Sequence, residues 1–371
     1  MLLSKKYIKV IIVDDSRLTR RMLRNMLKSD PLIKVVGEAS NGFEAIDKVL
    51  SLNPDVVIMD VVMPEMDGIT AIKEILKVKP VPILVFSSIT EEGSRAALDA
   101  LEAGALEVMP KPGGTPTVTD LKNLKDELIR KVKVLANIGR ARLSARLSLL
   151  ALRLKITSTS LETPGIIDKP APTVAVIASS TGGPQALMKV IPKISVAPIS
   201  ALLIVQHMPP VFTKALAEKL NRVSIFKIKE AEDGEEVLTY HGYVAPGDYH
   251  MRIKIRKGKP RIELDKGPRV HGVRPAADIT MRDAANVWGP ATVAAILTGM
   301  GRDGVEGAAA IKAKGGYVIA QDEKTSIVWG MPKAVITRGL ADKVLPVDTI
   351  STEINRILYL KVRECRIGWL T

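Results

Sequence analysis

Ile8-Lys-Val-Ile-Ile-Val-Asp-Asp-Ser16 is a strand-length apolar run that breaks on two carboxylates, and the stretch after it, Arg17 to Leu27, carries its apolar residues at helical spacing. The same alternation repeats down the first third of the chain. Ile33–Gly37, Val56–Met59, Val81–Phe86 and Leu106–Met109 read as further buried strands, and Phe43–Leu52, Gly68–Val78 and Ser94–Leu101 as the helices between them. This βαβ rhythm predicts a parallel sheet flanked by helices. A second alternating pattern opens at Val174, with strands over Val174–Ala178, Ala201–Val205, Gly242–Ala245, Thr292–Leu297 and Gly316–Ile319. The expected fold class is therefore α/β, with two doubly wound parallel-sheet domains over residues 1–120 and 173–360, a connecting segment over 121–172 and a tail over 361–371.

The connection is the basic part of the molecule. Between Leu121 and Ser160 ten Lys/Arg face two Asp/Glu, so this stretch supplies 8 of the net +14 charges. Leu121, Leu124, Leu128, Val132 and Leu135, then Leu143, Leu147, Leu150 and Leu154, line up at three- and four-residue spacing, which predicts a helix with one apolar and one cationic face. Two readings of it stay open: a connecting helix whose leucines pack on a domain, and a helix that docks on the acidic helices of a partner or on the anionic inner membrane surface. Ser, Thr and Pro then dominate Thr157–Thr173, as in a linker. Few aromatics and no helix-turn-helix or RNA-binding signature argue against a nucleic-acid partner. No apolar run reaches the roughly 18 residues of a membrane span, the first residues lack an export pattern, and the single cysteine, Cys365, fits a reducing compartment, so a cytoplasmic location is expected.

Asp14 and Asp15 follow the first predicted strand, Asp60 the third, Ser87 ends the fourth and Lys111 follows the fifth. All five therefore belong at the carboxyl edge of one parallel sheet, where open α/β folds bind ligands. Three carboxylates brought together need a cation, and hard oxygen donors suit Mg²⁺. A lysine and a serine hydroxyl opposite them suit phosphate oxygens. The blocks IIVDDS at Ile11–Ser16, MDVVMPEMDG at Met59–Gly68, FSS at Phe86–Ser88 and KP at Lys111 resemble the response-regulator receiver family, with its flavodoxin-like fold. The resemblance implies that Asp60 is the phosphoacceptor, that Asp14, Asp15, Asp60 and the Val62 backbone carbonyl hold Mg²⁺, and that Ser87 and Lys111 sense the phosphoryl group. Val108 stands where receivers often carry an aromatic switch residue.

In the second half Ser179-Ser180-Thr181-Gly182-Gly183-Pro184 joins a strand to a helix, an arrangement that suits either a phosphate cradle or a serine nucleophile beside an oxyanion hole. Its partners favour the nucleophile. His207 follows the next strand and Asp303 lies in the glycine-rich Thr298–Gly304 loop after a later one, so a hydroxyl, a base and a carboxylate share one sheet edge. A dinucleotide site would require a G-x-G-x-x-G turn and a following acidic residue, and neither is evident. Ser179 is the rival nucleophile and His250 the rival base, with His241 and His271 weaker candidates.

The blocks SSTGGP, QHMP, APGDYHM, RPAAD, TGMGRDG and GMPKA, in this order, resemble the catalytic domain of the chemotaxis protein-glutamate methylesterases, a Rossmann-like esterase domain. The resemblance assigns the nucleophile to Ser180, the base to His207 and the orienting carboxylate to Asp303. It puts Thr181, Gly182 and Met300 at the oxyanion region and active-site wall, with no cofactor in the esterase domain. It implies a methyl-accepting chemotaxis receptor as substrate, a chemotaxis histidine kinase as phosphodonor, and glutamine deamidation as a companion activity. Ala178 replaces the glycine usual before the serine.

Overall fold

The computed structural model describes residues 7–114, 116–138, 169–195 and 199–367, which fall into two compact units, 1–157 and 158–371. In the first unit, strands β1 (Ile8–Val13), β2 (Ile33–Ala39), β3 (Val56–Met59), β4 (Ile83–Ser87) and β5 (Glu107–Pro110) form an all-parallel sheet in the order β2-β1-β3-β4-β5. Val10 to Val13, all of β3 and all of β4 are buried, which explains why they read as unbroken apolar runs. Helices α1 (Arg17–Lys28), α2 (Gly42–Leu52), α3 (Gly68–Val78) and α4 (Glu91–Glu102) cross between them. Each starts on a residue whose side chain accepts from a first-turn amide: Ser16, Asn41, Asp67 and Thr90.

Helix α5 (Val118–Ala136) starts three residues before the connecting segment was expected to begin. A capping box, with Thr117 and Asp120 each accepting the other's amide, fixes that start. Leu128, Val132 and Leu135 are buried where α5 meets α1 and β3, Lys133 pairs with Asp30 at 2.5 Å and Lys131 with Glu107 at 3.1 Å. Up to Ile138, then, the basic stretch packs on the first unit as its fifth helix. Its expected continuation through Leu154, and residues 157–168 of the linker, lie outside the described residues.

The second unit is a seven-stranded all-parallel sheet built from β6 (Thr173–Ser179), β7 (Ser200–Gln206), β8 (Lys227–Glu230), β9 (His241–Val244), β12 (Thr292–Ile296), β13 (Tyr317–Gln321) and β14 (Lys343–Leu345), in the order β14-β13-β12-β6-β7-β9-β8. Strands β10 (His250–Arg256) and β11 (Lys259–Asp265) form a separate antiparallel hairpin. The helices are α6 (Gly183–Val190), α7 (Phe212–Asn221), α8 (Ala277–Trp288), α9 (Val305–Ala313), α10 (Met331–Thr337) and α11 (Val347–Ile367). The chain builds outward from β6 to β7 on one side and adds β12 on the other, so the strand order reverses beside β6. In open α/β sheets that reversal opens a crevice at the carboxyl ends of the strands. Ser180, His207 and Asp303 all come from loops at that edge. Among the described residues no helix is long and apolar enough to cross a membrane.

Candidate active site

At the carboxyl edge of the first sheet Asp14 and Asp60 are buried and Asp15 is exposed, and one oxygen of each lies within 4.8 Å of the others. Lys111 Nζ sits 2.7 Å from Asp14 Oδ2 and 2.6 Å from Asp60 Oδ2. Burial works against the Lys111 charge, but the two carboxylates outweigh it and hold its pKa above the usual lysine value. Burial pushes the Asp14 carboxyl up by more than Lys111 pulls it down, and the Asp60 charge adds to the rise. Three carboxylates against one ammonium leave the cluster anionic, and an all-oxygen donor set of this kind fits a hard divalent cation such as Mg²⁺. Asp60 Oδ1 accepts from the Val61 amide at 2.8 Å, and exposed Val62 follows in the same turn. Ser87, fully buried at the end of β4, donates to the Gly93 carbonyl at 3.1 Å.

In the second unit Ser179 and Gln206 are register partners on β6 and β7, so Ser180 and His207 are the next residues of two adjacent parallel strands. The ladder continues one step, with the His207 amide donating to the Ser179 carbonyl at 3.0 Å. His207 Nε2 meets Asp303 Oδ2 at 2.7 Å, so Nδ1 is the ring nitrogen that the carboxylate does not hold. Four donors surround Asp303: at Oδ2 His207 and the Ala277 amide (2.6 Å), at Oδ1 the amides of Asp278 (3.0 Å) and Gly304 (3.1 Å). Two of these amides belong to the first turn of α8, whose positive end favours an anion. Burial alone would raise the Asp303 pKa, but His207 and these amides outweigh it and hold the carboxyl below its usual range.

The rival residues are committed elsewhere. Ser179 is fully buried and donates to Gln206 Oε1 at 2.7 Å. His250, also buried, accepts the Ala276 amide on Nδ1 at 3.2 Å and donates from Nε2 to the Pro268 carbonyl at 3.0 Å. His241 Nδ1 bonds the Thr239 carbonyl at 2.8 Å. Ser180 and Met300, by contrast, are half-buried at the edge, Thr181 is 6% exposed, and Gly182, at φ +75°, caps α6.

Sequence reasoning overlooked Gln206, one residue before His207. Its buried Nε2 donates to the carbonyls of Ser180 (2.9 Å) and His207 (3.1 Å), so one amide clamps both turns. The clamp explains Gly183, because a Cβ there would overlap Gln206 Oε1 and come within 2.8 Å of Ser179 Oγ. Gly183→Ala is expected to displace the amide and lower stability by roughly 1–3 kcal/mol; a thermal melt unchanged from wild type would contradict it. Asp278 and His271 were also missed as a pair, since seven residues of sequence separate them and only the fold brings Asp278 beside Asp303.

Comparison with known proteins follows the same division of the chain. Residues 10–121 match the response regulator receiver domain and residues 175–354 the CheB methylesterase domain. A protein-glutamate methylesterase/protein-glutamine glutaminase of Pyrococcus horikoshii is 47% identical over 350 residues, 94% of this chain and 93% of that one. One of the same description from Thermotoga maritima is 41% identical over 356 residues, 96% of this chain and 100% of that one. The crystal structure of the Thermotoga maritima CheB methylesterase catalytic domain covers 50% of this chain and 98% of its own, at 47% identity and TM-score 0.49.

Proposed function

The chain belongs to the CheB family of protein-glutamate methylesterases/protein-glutamine glutaminases, and from that premise we propose that it hydrolyses glutamate γ-methyl esters on chemoreceptors by a Ser180-His207-Asp303 mechanism under the control of its receiver. The observation that carries the reading is the 2.7 Å contact between His207 Nε2 and Asp303 on the strand end next to Ser180. Asp303 fixes the Nε2–H tautomer, which leaves Nδ1 to take the Ser180 proton as Oγ attacks the ester carbonyl. Amides of Thr181 and Gly182, at the start of α6, hold the oxyanion, and Met300 lines the wall. Collapse of the tetrahedral intermediate breaks the C–O bond, and methanol leaves with the proton from His207. Water, deprotonated by the same imidazole, then releases glutamate. With a glutamine side chain the same steps expel ammonia, which is the deamidase reaction.

Asp60 is the phosphoacceptor in this reading, with Asp14, Asp15, Asp60 and the Val62 carbonyl holding Mg²⁺, which supplies charge neutralisation for phosphoryl transfer when bound. Lys111, already on Asp60, and Ser87 then engage the new phosphoryl oxygens. The phosphodonor is a chemotaxis histidine kinase and the substrate a methyl-accepting chemotaxis receptor, met in the cytoplasm. The test is methanol release from methylated receptor with and without a small-molecule phosphodonor and Mg²⁺. Stimulation is expected in wild type, and its loss in Asp60→Asn or on chelation of Mg²⁺; an equal response from Asp60→Asn would refute the control by Asp60.

A further inference from the structure

Behind Asp303 lies a second imidazole–carboxylate pair. His271 Nε2 sits 2.8 Å from Asp278 Oδ2, and Asp278 Oδ1 accepts the amides of Gly304 (2.9 Å) and Gly307 (2.8 Å). The Gly304 amide is shared, because it also donates to Asp303 Oδ1. Two carboxylates, each 1% exposed, thus lean on one N–H, and the Asp278 amide itself donates to Asp303. Two buried anions at this separation repel, so the arrangement calls for a compensating proton. Burial, then the Asp303 charge, pushes the Asp278 carboxyl up. His271 is in place to supply the compensation. It stands at φ +53° in the tight turn closed by Val270 and Val273, a left-handed conformation unfavourable for a residue with a Cβ, and that turn aims its ring at Asp278.

Resting on the esterase reading above, we propose that His271 and Asp278 are positioning residues of the hydrolysis: Asp278 holds the Asp303 loop to the start of α8, and the proton shared with His271 keeps that second carboxylate from adding a charge beside Asp303. With the proton present the pair is neutral, and Asp303 alone faces His207. Without it a further negative charge lies behind Asp303 and favours the imidazolium form of His207, in which the base is idle. The other ionisable groups around the pair do not provide that proton. His250 on β10 is held by the Ala276 amide and the Pro268 carbonyl, and Arg274 is on Asp248 at 2.7 Å. Asp283 on α8 is paired with Arg252 at 3.0 Å, exposed Glu306 on α9 pairs with Arg338 at 3.7 Å, and Arg302 is exposed.

The experiment follows the His207 imidazole by NMR titration of histidine-labelled full-length protein, together with the pH profile of kcat/KM for methanol release. In His271→Gln the His207 titration and the acidic limb of kcat/KM are expected to move up by about one pH unit, about a tenfold loss of rate on that limb. In His271→Gln/Asp278→Asn both should return toward the wild-type position, since the uncompensated carboxylate is gone. A purely structural role predicts the opposite, further damage in the double variant. Wild-type titration in His271→Gln, or a double variant that keeps the shift of the single one, overturns the proposal. The NMR arm needs no turnover: shifted titrations in a chain that releases no methanol would support the pair and sink the esterase reading.

Discussion

Asp303→Asn is expected to reduce kcat for methanol release by about four orders of magnitude while leaving the protein folded. A carboxylate offers acceptors on both oxygens, and here both are used: Oδ2 by His207 and the Ala277 amide, Oδ1 by the amides of Asp278 and Gly304. Asparagine keeps only one acceptor. If its NH₂ takes the Oδ1 place it meets two N–H donors, so the better-satisfied rotamer turns NH₂ toward His207 and makes Nε2 accept. The ring proton then moves to Nδ1, the nitrogen that receives the Ser180 proton in the proposed mechanism, and the base is disabled by its tautomer rather than by distance. The check is single-turnover methanol release beside a thermal melt, and a loss of less than about tenfold would show that something other than Asp303 orients the imidazole.

The placement of several candidate residues at a sheet edge is legible in the sequence alone. Asp14 and Asp60 directly follow runs of buried β-branched and aliphatic residues, and Ser180 and His207 follow such runs after one polar residue, so the strand pattern places all four at a sheet edge. The elements that went unread are those whose burial is one-sided or partial. Strands β8 and β14 are the two edges of the seven-stranded sheet, and Lys227-Ile-Lys-Glu230 and Lys343-Val-Leu345 expose much of their surface, which blurs the apolar signal. The β10–β11 hairpin alternates strongly but with Lys and Arg on its outer face, as in Met251-Arg-Ile-Lys-Ile255, and its antiparallel pairing lies outside the βαβ rhythm of the rest of the chain. The start of α5 is set by a Thr117–Asp120 capping box, which lies upstream of the charge run of the segment from Leu121.

Contacts carried by polar side chains were less legible still. Nothing in periodicity marks Gln206 as the clamp on two turns, and the Asp278–Asp303 approach joins the first turn of α8 to a loop 25 residues further on through backbone amides. Ser179 and Ser180 could not be told apart by pattern, since both follow the same strand. Burial separates them: the first is sealed in with its hydroxyl on Gln206, and the second is half-exposed at the crevice.

That separation underlies the largest effect expected of any single substitution. Ser180→Ala removes the only atom that the mechanism joins covalently to substrate, whereas the turn around it is fixed by backbone groups, the Ser180 amide on the Thr298 carbonyl at 3.0 Å and the Gly183 amide on the Ser180 carbonyl at 2.7 Å. The fold should therefore persist while kcat falls by roughly six orders of magnitude, the scale seen when a serine nucleophile is deleted from a working triad. Methanol release from methylated receptor by phosphodonor-activated Ser180→Ala protein is the direct measurement: a rate roughly six orders of magnitude below wild type is predicted, and turnover within tenfold of wild type would contradict the assignment of the nucleophile.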